Sequence, residues 1–196
     1  MAAKSNLQNM ALCLTLTCLL CSAILGMVYA VTKAPIDAAA EAAAKAAIAE
    51  VLPEGGDISE AKTADLDGTT YEYYEEMGGG QVVAYAVKSS TNGFGGNLSL
   101  MVGVLPDGTI YNTKVLSHSE TPGLGAKCTS DKKFTSQWNG FAKDKKLAVA
   151  KDGGDVDAIT ASTITSRAYT LAVSQARDLI KMLDPDATTG ASLFDK

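Results

Sequence analysis

The feature that most constrains this 196-residue chain is an uncharged, apolar run near its N-terminus. No charged side chain occurs between Lys4 and Lys33, and residues 10–31 read MALCLTLTCLLCSAILGMVYAV. As an α-helix with a rise of about 1.5 Å per residue, this stretch would be about 33 Å long, which matches a membrane hydrocarbon core of about 30 Å. The run therefore predicts one N-terminal transmembrane helix over residues 10–31, preceded by a short flank, residues 1–9.

A cleaved signal peptide is the alternative interpretation of this run, because Val28-Tyr29-Ala30 has the small-residue pattern of a cleavage site. The run exceeds the about 7–15 apolar residues of a typical signal peptide, which favours a retained single-pass anchor in the cell (inner) membrane. Lys4 weakly favours an N-terminus inside the cell, whereas Lys33 opposes it. Both interpretations place the rest of the chain on the extracytoplasmic side.

Charge and composition exclude several classes of function. The net charge of −5 argues against a nucleic-acid-binding protein, which would usually carry a basic face. The single histidine, His118, excludes a multi-histidine metal site, and the sequence predicts no bound metal. Cys13, Cys18 and Cys21 lie in the apolar run and leave Cys128 alone, so a disulfide framework is not available. No acid–base pair or nucleophile triad stands out, so no catalytic residues are predicted.

Beyond the anchor, the composition changes from apolar to alanine-rich and then to mixed polar sequence. Residues 32–53 are rich in alanine and carry Glu41 and Lys45 four positions apart, which predicts a stalk helix. Residues 54–90 are interpreted as the N-terminal part of the soluble domain, with loops and one or two short strands before residue 81. Residues 186–196 are polar and rich in small side chains, which predicts a disordered tail.

Strand and helix signals mix in the soluble domain without strict βαβ alternation. Strands are predicted at residues 81–90 and 146–152, and a hairpin at residues 97–118 turns through Pro-Asp-Gly-Thr. A long amphipathic helix is predicted over residues 163–183, with Ile164 and Leu171 on its apolar stripe. The fold class predicted is α+β, an antiparallel sheet with flanking helices, and residues 91–185 form its ligand-binding part.

Five hydroxyl side chains crowd the predicted start of the last helix, in the stretch DAITASTITS, residues 157–166. One hydroxyl is enough to cap a helix. Free N–H groups and the helix dipole also make a helix N-terminus a good phosphate site. These residues alone favour plain capping, and the surplus of hydroxyls raises phosphate binding as the alternative; the residues concerned are Thr160, Ser162, Thr163, Thr165 and Ser166.

A second motif, HSETPGLGAK at residues 118–127, has the composition of a binding loop. Pro122 fixes its own φ, while Gly123 and Gly125 permit a close approach of a planar ligand. A plain surface turn would need only Pro and one Gly. The polar residues that flank this turn are His118, Glu120, Thr121 and Lys127.

Two further features admit more than one interpretation. The glycine-rich stretch TNGFGGNLSLMVGV, residues 91–104, leads into a strand rather than a helix, so a Rossmann nucleotide loop is not indicated. Trp138 could stack on an aromatic ligand or belong to the hydrophobic core.

The motifs and their order together resemble the covalent FMN-binding domain family over about residues 7–185. Within it the chain is most similar to the G subunits of Rnf-type ion-translocating electron-transport complexes, which are related to the C subunit of the Na⁺-translocating NADH:quinone reductase. The resemblance implies FMN joined by a phosphoester to the hydroxyl of Thr163. The family commonly has glycine at the position of Ala161, and alanine fits there only if its φ is negative.

The resemblance also implies ring contacts from Glu120, Thr121 and Leu124. Motifs and resemblance together predict a set of cofactor-binding residues, which comprises Asp157, Thr160, Ala161, Ser162, Thr165, Ser166, Glu120, Thr121, Gly123, Leu124, Gly125, Lys127 and Trp138.

The function that the resemblance implies is electron relay through FMN, without independent turnover, inside a complex that couples reduced ferredoxin and NAD⁺ to Na⁺ or H⁺ movement. The implied partners are the other subunits of that membrane complex, the membrane lipid, and a separate flavin transferase that installs FMN. Alternatives are the equivalent subunit of an Na⁺-translocating NADH:quinone reductase, a stand-alone extracytoplasmic flavin reductase and a membrane-anchored ligand-binding domain.

Overall fold

A computed structural model describes residues 7–185 of the chain. Two compact units are distinguished, Met1–Ala42 and Ala43–Lys196. The predicted tail, residues 186–196, and the first six residues of the predicted flank lie outside the described residues.

The first element is one long helix, α1, which spans Leu7–Val51 and contains Pro35. Among residues 7–185 it is the helix that is long and apolar enough to cross a membrane. Its threonines satisfy their hydroxyls within the helix: Thr15 Oγ1 donates to the Ala11 carbonyl at 2.9 Å and Thr32 Oγ1 to the Val28 carbonyl at 2.8 Å. These hydroxyls are therefore tolerable in lipid, which offers no competing hydrogen-bond partners.

The second unit is built on an antiparallel sheet, which confirms the predicted α+β class. The strands are β1 Asp57–Ile58, β2 Lys62–Leu66, β3 Thr69–Gly78, β4 Gln81–Asn92, β5 Asn97–Val104 and β6 Ile110–His118. The sheet has the strand order β1-β3-β4-β5-β6, and β2 also pairs with β3. The Pro-Asp-Gly-Thr turn joins β5 to β6 as predicted, with the Leu105 N–H donating to the Thr109 carbonyl at 2.8 Å.

Two helices complete this unit, α2 at Lys132–Ser136 and α3 at Thr163–Leu183. The predicted bounds of α3 are confirmed, but the predicted strand at residues 146–152 is wrong. That segment folds onto the residues after it: the Lys146 N–H donates to the Asp155 carboxylate at 2.7 Å, and Val149 makes only an isolated bridge to Val156. Its apolar residues therefore pack in a loop instead of joining the sheet.

The two faces of the sheet are covered by different helices. On one face the last turns of α1 pack through Ala47, Ile48 and Val51. On the other face α3 buries a stripe that includes Tyr169 and Val173. The predicted stripe is partly wrong, because three of its members are exposed, Ile164 at 52%, Leu171 at 53% and Leu183 at 36%.

A glycine in β5 allows α1 to approach the sheet closely. A Cβ added at Gly103 would lie 1.8 Å from the carbonyl oxygen of Val51, in the last turn of α1. Backbone atoms cannot move aside as a flexible side chain can. Contact between the end of α1 and the sheet therefore requires glycine at this position.

We predict that Gly103→Ala lowers the free energy of unfolding of the second unit by about 1–3 kcal/mol, because the new methyl group forces the last turn of α1 away from the sheet. Denaturant unfolding of the full chain in detergent, followed by Trp138 fluorescence, measures this change. Lys114→Ala is the control, since its ion pair with Glu50 is exposed and should contribute less than about 1 kcal/mol. Equal unfolding midpoints for Gly103→Ala and Lys114→Ala would contradict the close-contact explanation.

Candidate functional site

A cavity of about 360 Å³ opens at the N-terminal end of α3. Its walls come from three segments: Phe94 in the glycine-rich loop before β5, four residues after β6 (Glu120, Thr121, Leu124 and Gly125), and residues 161–165 at the start of α3. The fold therefore brings the loop motif at residues 118–127 and the hydroxyl-rich stretch at residues 157–166 to one cavity, although more than thirty residues separate their lining positions. The lining is mixed: three hydroxyl groups come from the helix start, and apolar side chains come from Phe94, Leu124 and Ile164.

Glu120 connects these three segments. Its side chain is only 5% exposed. Oε1 accepts a hydrogen bond from the Phe94 N–H at 2.8 Å, and Oε2 accepts one from Thr165 Oγ1 at 2.8 Å. Because both oxygens are used inside the protein, Glu120 organises the cavity instead of offering a free carboxylate to a ligand.

Two glycines make room for this carboxylate. A Cβ at Gly93 would lie 1.9 Å from Glu120 Oε1, and a Cβ at Gly125 would lie 2.3 Å from Glu120 Oε2 and 2.6 Å from Thr165 Oγ1. Any larger residue at either position would displace the carboxylate from its partners. Gly93 in the stretch 91–104 and Gly125 in the stretch 118–127 thus allow the backbone to pack closely around Glu120.

The start of α3 has unsatisfied hydrogen-bonding capacity. Ser162 is the N-cap residue, yet its side chain makes no capping hydrogen bond. Its Oγ is buried and has no hydrogen-bond partner among the described residues. The N–H groups of a first helical turn also lack carbonyl partners within the helix. An oxyanion at this position would satisfy both kinds of group and would interact favourably with the helix dipole.

Thr163 directly follows this N-cap. Its side chain is half-buried and lines the cavity. Across residues 7–185 no hydrogen bond that involves its hydroxyl is observed. The hydroxyl is therefore available for chemistry or for a ligand, unlike that of Thr165.

Ser166, a predicted cofactor-binding residue, has a structural role. Its Oγ accepts from the Ile159 N–H at 2.9 Å and donates to the Ser162 carbonyl at 3.0 Å. The side chain is fully buried and does not line the cavity. It ties the preceding loop to the helix, which explains one of the surplus hydroxyls without any ligand.

Ala161 adopts a left-handed conformation, with φ of 62°. The condition under which alanine was expected to fit at this glycine position, a negative φ, is therefore not met. The chain makes a tight turn here, closed by a hydrogen bond of 3.0 Å from the Ser162 N–H to the Ile159 carbonyl. Glycine would adopt this conformation freely, whereas alanine costs about 1–2 kcal/mol.

Five other predicted cofactor-binding residues are not brought to the cavity. Asp157 is exposed and forms an ion pair with Lys133 at 3.2 Å, because its loop is held by Gln137 rather than by the cavity wall. Thr160, Lys127 and Gly123 are not part of the cavity wall either. Trp138 is fully buried and stacks on Tyr169 with ring centroids 5.2 Å apart, so the core alternative is the one observed.

Sequence reasoning missed two residues of the cavity wall, Phe94 and Ile164. Both are exposed, at 69% and 52% of their surfaces. An aromatic residue set among three glycines is the available signal for Phe94. The helical period assigns Ile164 to the core stripe of α3, because a periodic pattern does not reveal that this position lines a cavity.

Cys128 lies near this site but has no free thiolate to contribute. Burial raises the pKa of its thiol to about 11, and the charge of Glu120 acts in the same direction. The thiol is therefore neutral near pH 7 and packs as an apolar group.

Comparison with known proteins relates the chain to one domain family and to subunits of ion-translocating oxidoreductase complexes. The FMN-binding domain family matches residues 93–178. The G subunit of the proton-translocating ferredoxin:NAD(+) oxidoreductase complex of Clostridium ljungdahlii is 34% identical over 169 residues, covering 83% of this chain and 85% of that protein. The G subunit of the ion-translocating oxidoreductase complex of Shewanella piezotolerans is 33% identical over 188 residues, covering 88% of both chains.

Among solved structures, the C subunit of the Na(+)-translocating NADH-quinone reductase of Parabacteroides distasonis is 22% identical, with a TM-score of 0.42 over 65% of this chain and 64% of that chain. The identity to the two G subunits extends over more than four fifths of each protein. The chain therefore belongs to the family of G subunits of ion-translocating oxidoreductase complexes of the Rnf type.

Proposed function

We propose that this chain is a membrane-anchored flavoprotein that relays electrons through FMN held by a phosphoester to Thr163. The observation that carries the proposal is the pair of hydroxyls at the start of α3. The Ser162 hydroxyl is buried without a partner among residues 7–185, and the Thr163 hydroxyl beside it lines the cavity. A buried polar group without a partner is costly, so this arrangement is best explained by a ligand that supplies the missing partner.

A phosphate fits the helix end of the cavity. It would meet the Ser162 hydroxyl and the free N–H groups of the first turn of α3, and its negative charge suits the positive end of the helix dipole. Thr165 can still accept a hydrogen bond while its hydroxyl donates to Glu120. Thr163 then acts as the attachment point in another enzyme's reaction, which makes a flavin transferase a required partner for maturation.

A planar ring system fits the remainder of the cavity. Leu124 and Ile164 supply apolar surface there. Bound FMN supplies the capacity to accept and donate electrons one at a time. The protein residues bind and orient it, and none of them needs to transfer a proton.

A covalent tether also suits the proposed location of the domain on the extracytoplasmic side of the membrane. Where the free ligand is scarce, reversible binding leaves a site largely empty, because occupancy follows ligand concentration. The helix α1 would tether the flavin-bearing domain to the membrane by anchoring in lipid. Electrons would then pass between this flavin and redox centres on the other subunits of the complex.

We predict that Thr163→Val abolishes covalent flavin, because it keeps the shape of the side chain and removes its hydroxyl. Full-length protein co-produced with a flavin transferase would be analysed by intact mass, where the wild-type chain should carry one FMN unit. Thr163→Ser is the matched control, since it keeps a hydroxyl and should still be modified. Flavin retained on the Thr163→Val protein after denaturation would assign the attachment to another residue.

Ser162→Ala should have opposite effects on the two forms of the protein. Without flavin the substitution removes a buried unsatisfied hydroxyl, so stability should stay unchanged or rise by up to about 1 kcal/mol. With flavin attached it removes a hydrogen bond to the phosphate and should lower stability by about 1–2 kcal/mol. Denaturant unfolding of protein made with and without the transferase measures both effects. The same loss in both forms would show that Ser162 has only a structural role.

Glu120→Ala should lower the unfolding free energy by about 2–3 kcal/mol, because the Phe94 N–H and the Thr165 hydroxyl lose a charged acceptor. Glu120→Gln is the control: its amide oxygen can accept from Phe94 and its amide nitrogen can donate to the Thr165 oxygen. The Gln variant should therefore lose about 1 kcal/mol or less. If the two variants unfold at the same denaturant concentration, the two hydrogen bonds do not organise the site.

A further inference from the structure

The cavity is rimmed by exposed apolar side chains that its proposed phosphate end does not explain. Phe94 is 69% exposed, Ile164 52% and Leu124 44%, and all three line the same cavity. Single exposed apolar residues are ordinary on protein surfaces. Three that converge on one cavity suggest a ligand with apolar surface.

Phe94 is the most exposed of the three, yet its backbone is firmly held. Its N–H donates to Glu120 Oε1, and the Gly93 N–H closes the loop on the Gly96 carbonyl at 2.8 Å. A Cβ at Gly95 would lie 2.1 Å from the Ser119 carbonyl oxygen, so the loop packs directly on the chain before Glu120. The protein therefore holds the backbone of a residue whose phenyl ring it leaves largely in solvent.

The same carboxylate fixes this loop relative to the attachment point. Glu120 Oε1 holds Phe94, and Glu120 Oε2 holds Thr165, two residues beyond Thr163. The phenyl ring and the Thr163 hydroxyl thus lie on segments that share one buried anchor. Such an arrangement suits a ligand that is attached at one end and must be positioned at the other.

We propose that Phe94 packs against one face of the flavin ring and forms the outer wall of the site. This inference rests on the proposed attachment of FMN to Thr163 and assigns the residue that orients its ring. Aromatic rings pack favourably in offset or edge-to-face arrangements at centroid separations of about 4.5–7 Å. The phenyl ring would shield that face from water, and it would favour a planar aromatic ligand over a sugar or a simple phosphate.

Phe94→Trp tests the contact, because an indole in van der Waals contact with a flavin quenches its fluorescence by electron transfer in the excited state. In flavin-loaded full-length protein in detergent, the Phe94→Trp variant should show a several-fold lower flavin fluorescence than wild type. Leu171→Trp is the matched control: Leu171 is a similarly exposed residue on α3 that does not line the cavity. Its flavin fluorescence should equal that of wild type.

Phe94→Ala gives an independent readout of the same contact. Removal of the phenyl ring should raise the rate at which iodide quenches the flavin, because one face of the ring becomes accessible. The expected change is a several-fold larger quenching constant at unchanged flavin content. Because Phe94 is exposed, both substitutions should leave the unfolding midpoint of the flavin-free protein unchanged.

Intact mass separates the failure of this inference from that of the proposed function. If the variants carry covalent flavin but neither the Trp fluorescence nor the iodide quenching departs from wild type, Phe94 does not contact the ring, and the attachment to Thr163 stands. If wild-type protein made with the transferase carries no flavin, the proposed function fails and the role of Phe94 fails with it.

Discussion

The geometry of the site depends on the hydrogen bonds that the buried carboxylate of Glu120 accepts. A carboxylate removed from water must receive hydrogen bonds from the protein, and this one receives them from Phe94 and Thr165. Those two donors lie on segments far apart in sequence, so satisfying the charge closes the cavity. Gly93 and Gly125 are required because the carboxylate fills the space that their side chains would occupy.

Two features at the start of α3 lower the stability of the fold, and a purely structural helix would avoid them. Ser162 buries a hydroxyl without a partner in the described part of the chain, and Ala161 adopts a conformation that alanine disfavours. Unsatisfied groups and backbone strain of this kind concentrate at functional sites, where a ligand or the surrounding fold compensates for them. A bound phosphate would relieve the first cost, so flavin attachment would also stabilise the domain.

Sequence patterns correctly predicted those structural elements that depend on residues close together in the chain. The apolar run, the Pro-Asp-Gly-Thr turn and the bounds of α3 each follow from neighbouring residues, and the structure agrees with them. Contacts between distant segments could not be predicted in this way. The Glu120–Thr165 hydrogen bond and the position of Phe94 at the cavity both depend on how separate segments meet. Residues 146–152 show the same limit, because an apolar run indicates burial but not the partner.

Phosphorus NMR of the flavin-loaded, denatured protein tests the proposed phosphoester between Thr163 and FMN most directly. A phosphate joined to two oxygen-bound carbons has no proton to lose near neutral pH, whereas a phosphate monoester titrates near pH about 6. The account predicts one protein-bound phosphorus signal whose chemical shift stays constant between about pH 5 and pH 8. A signal that titrates across this range, or flavin that separates from the denatured chain, would contradict it.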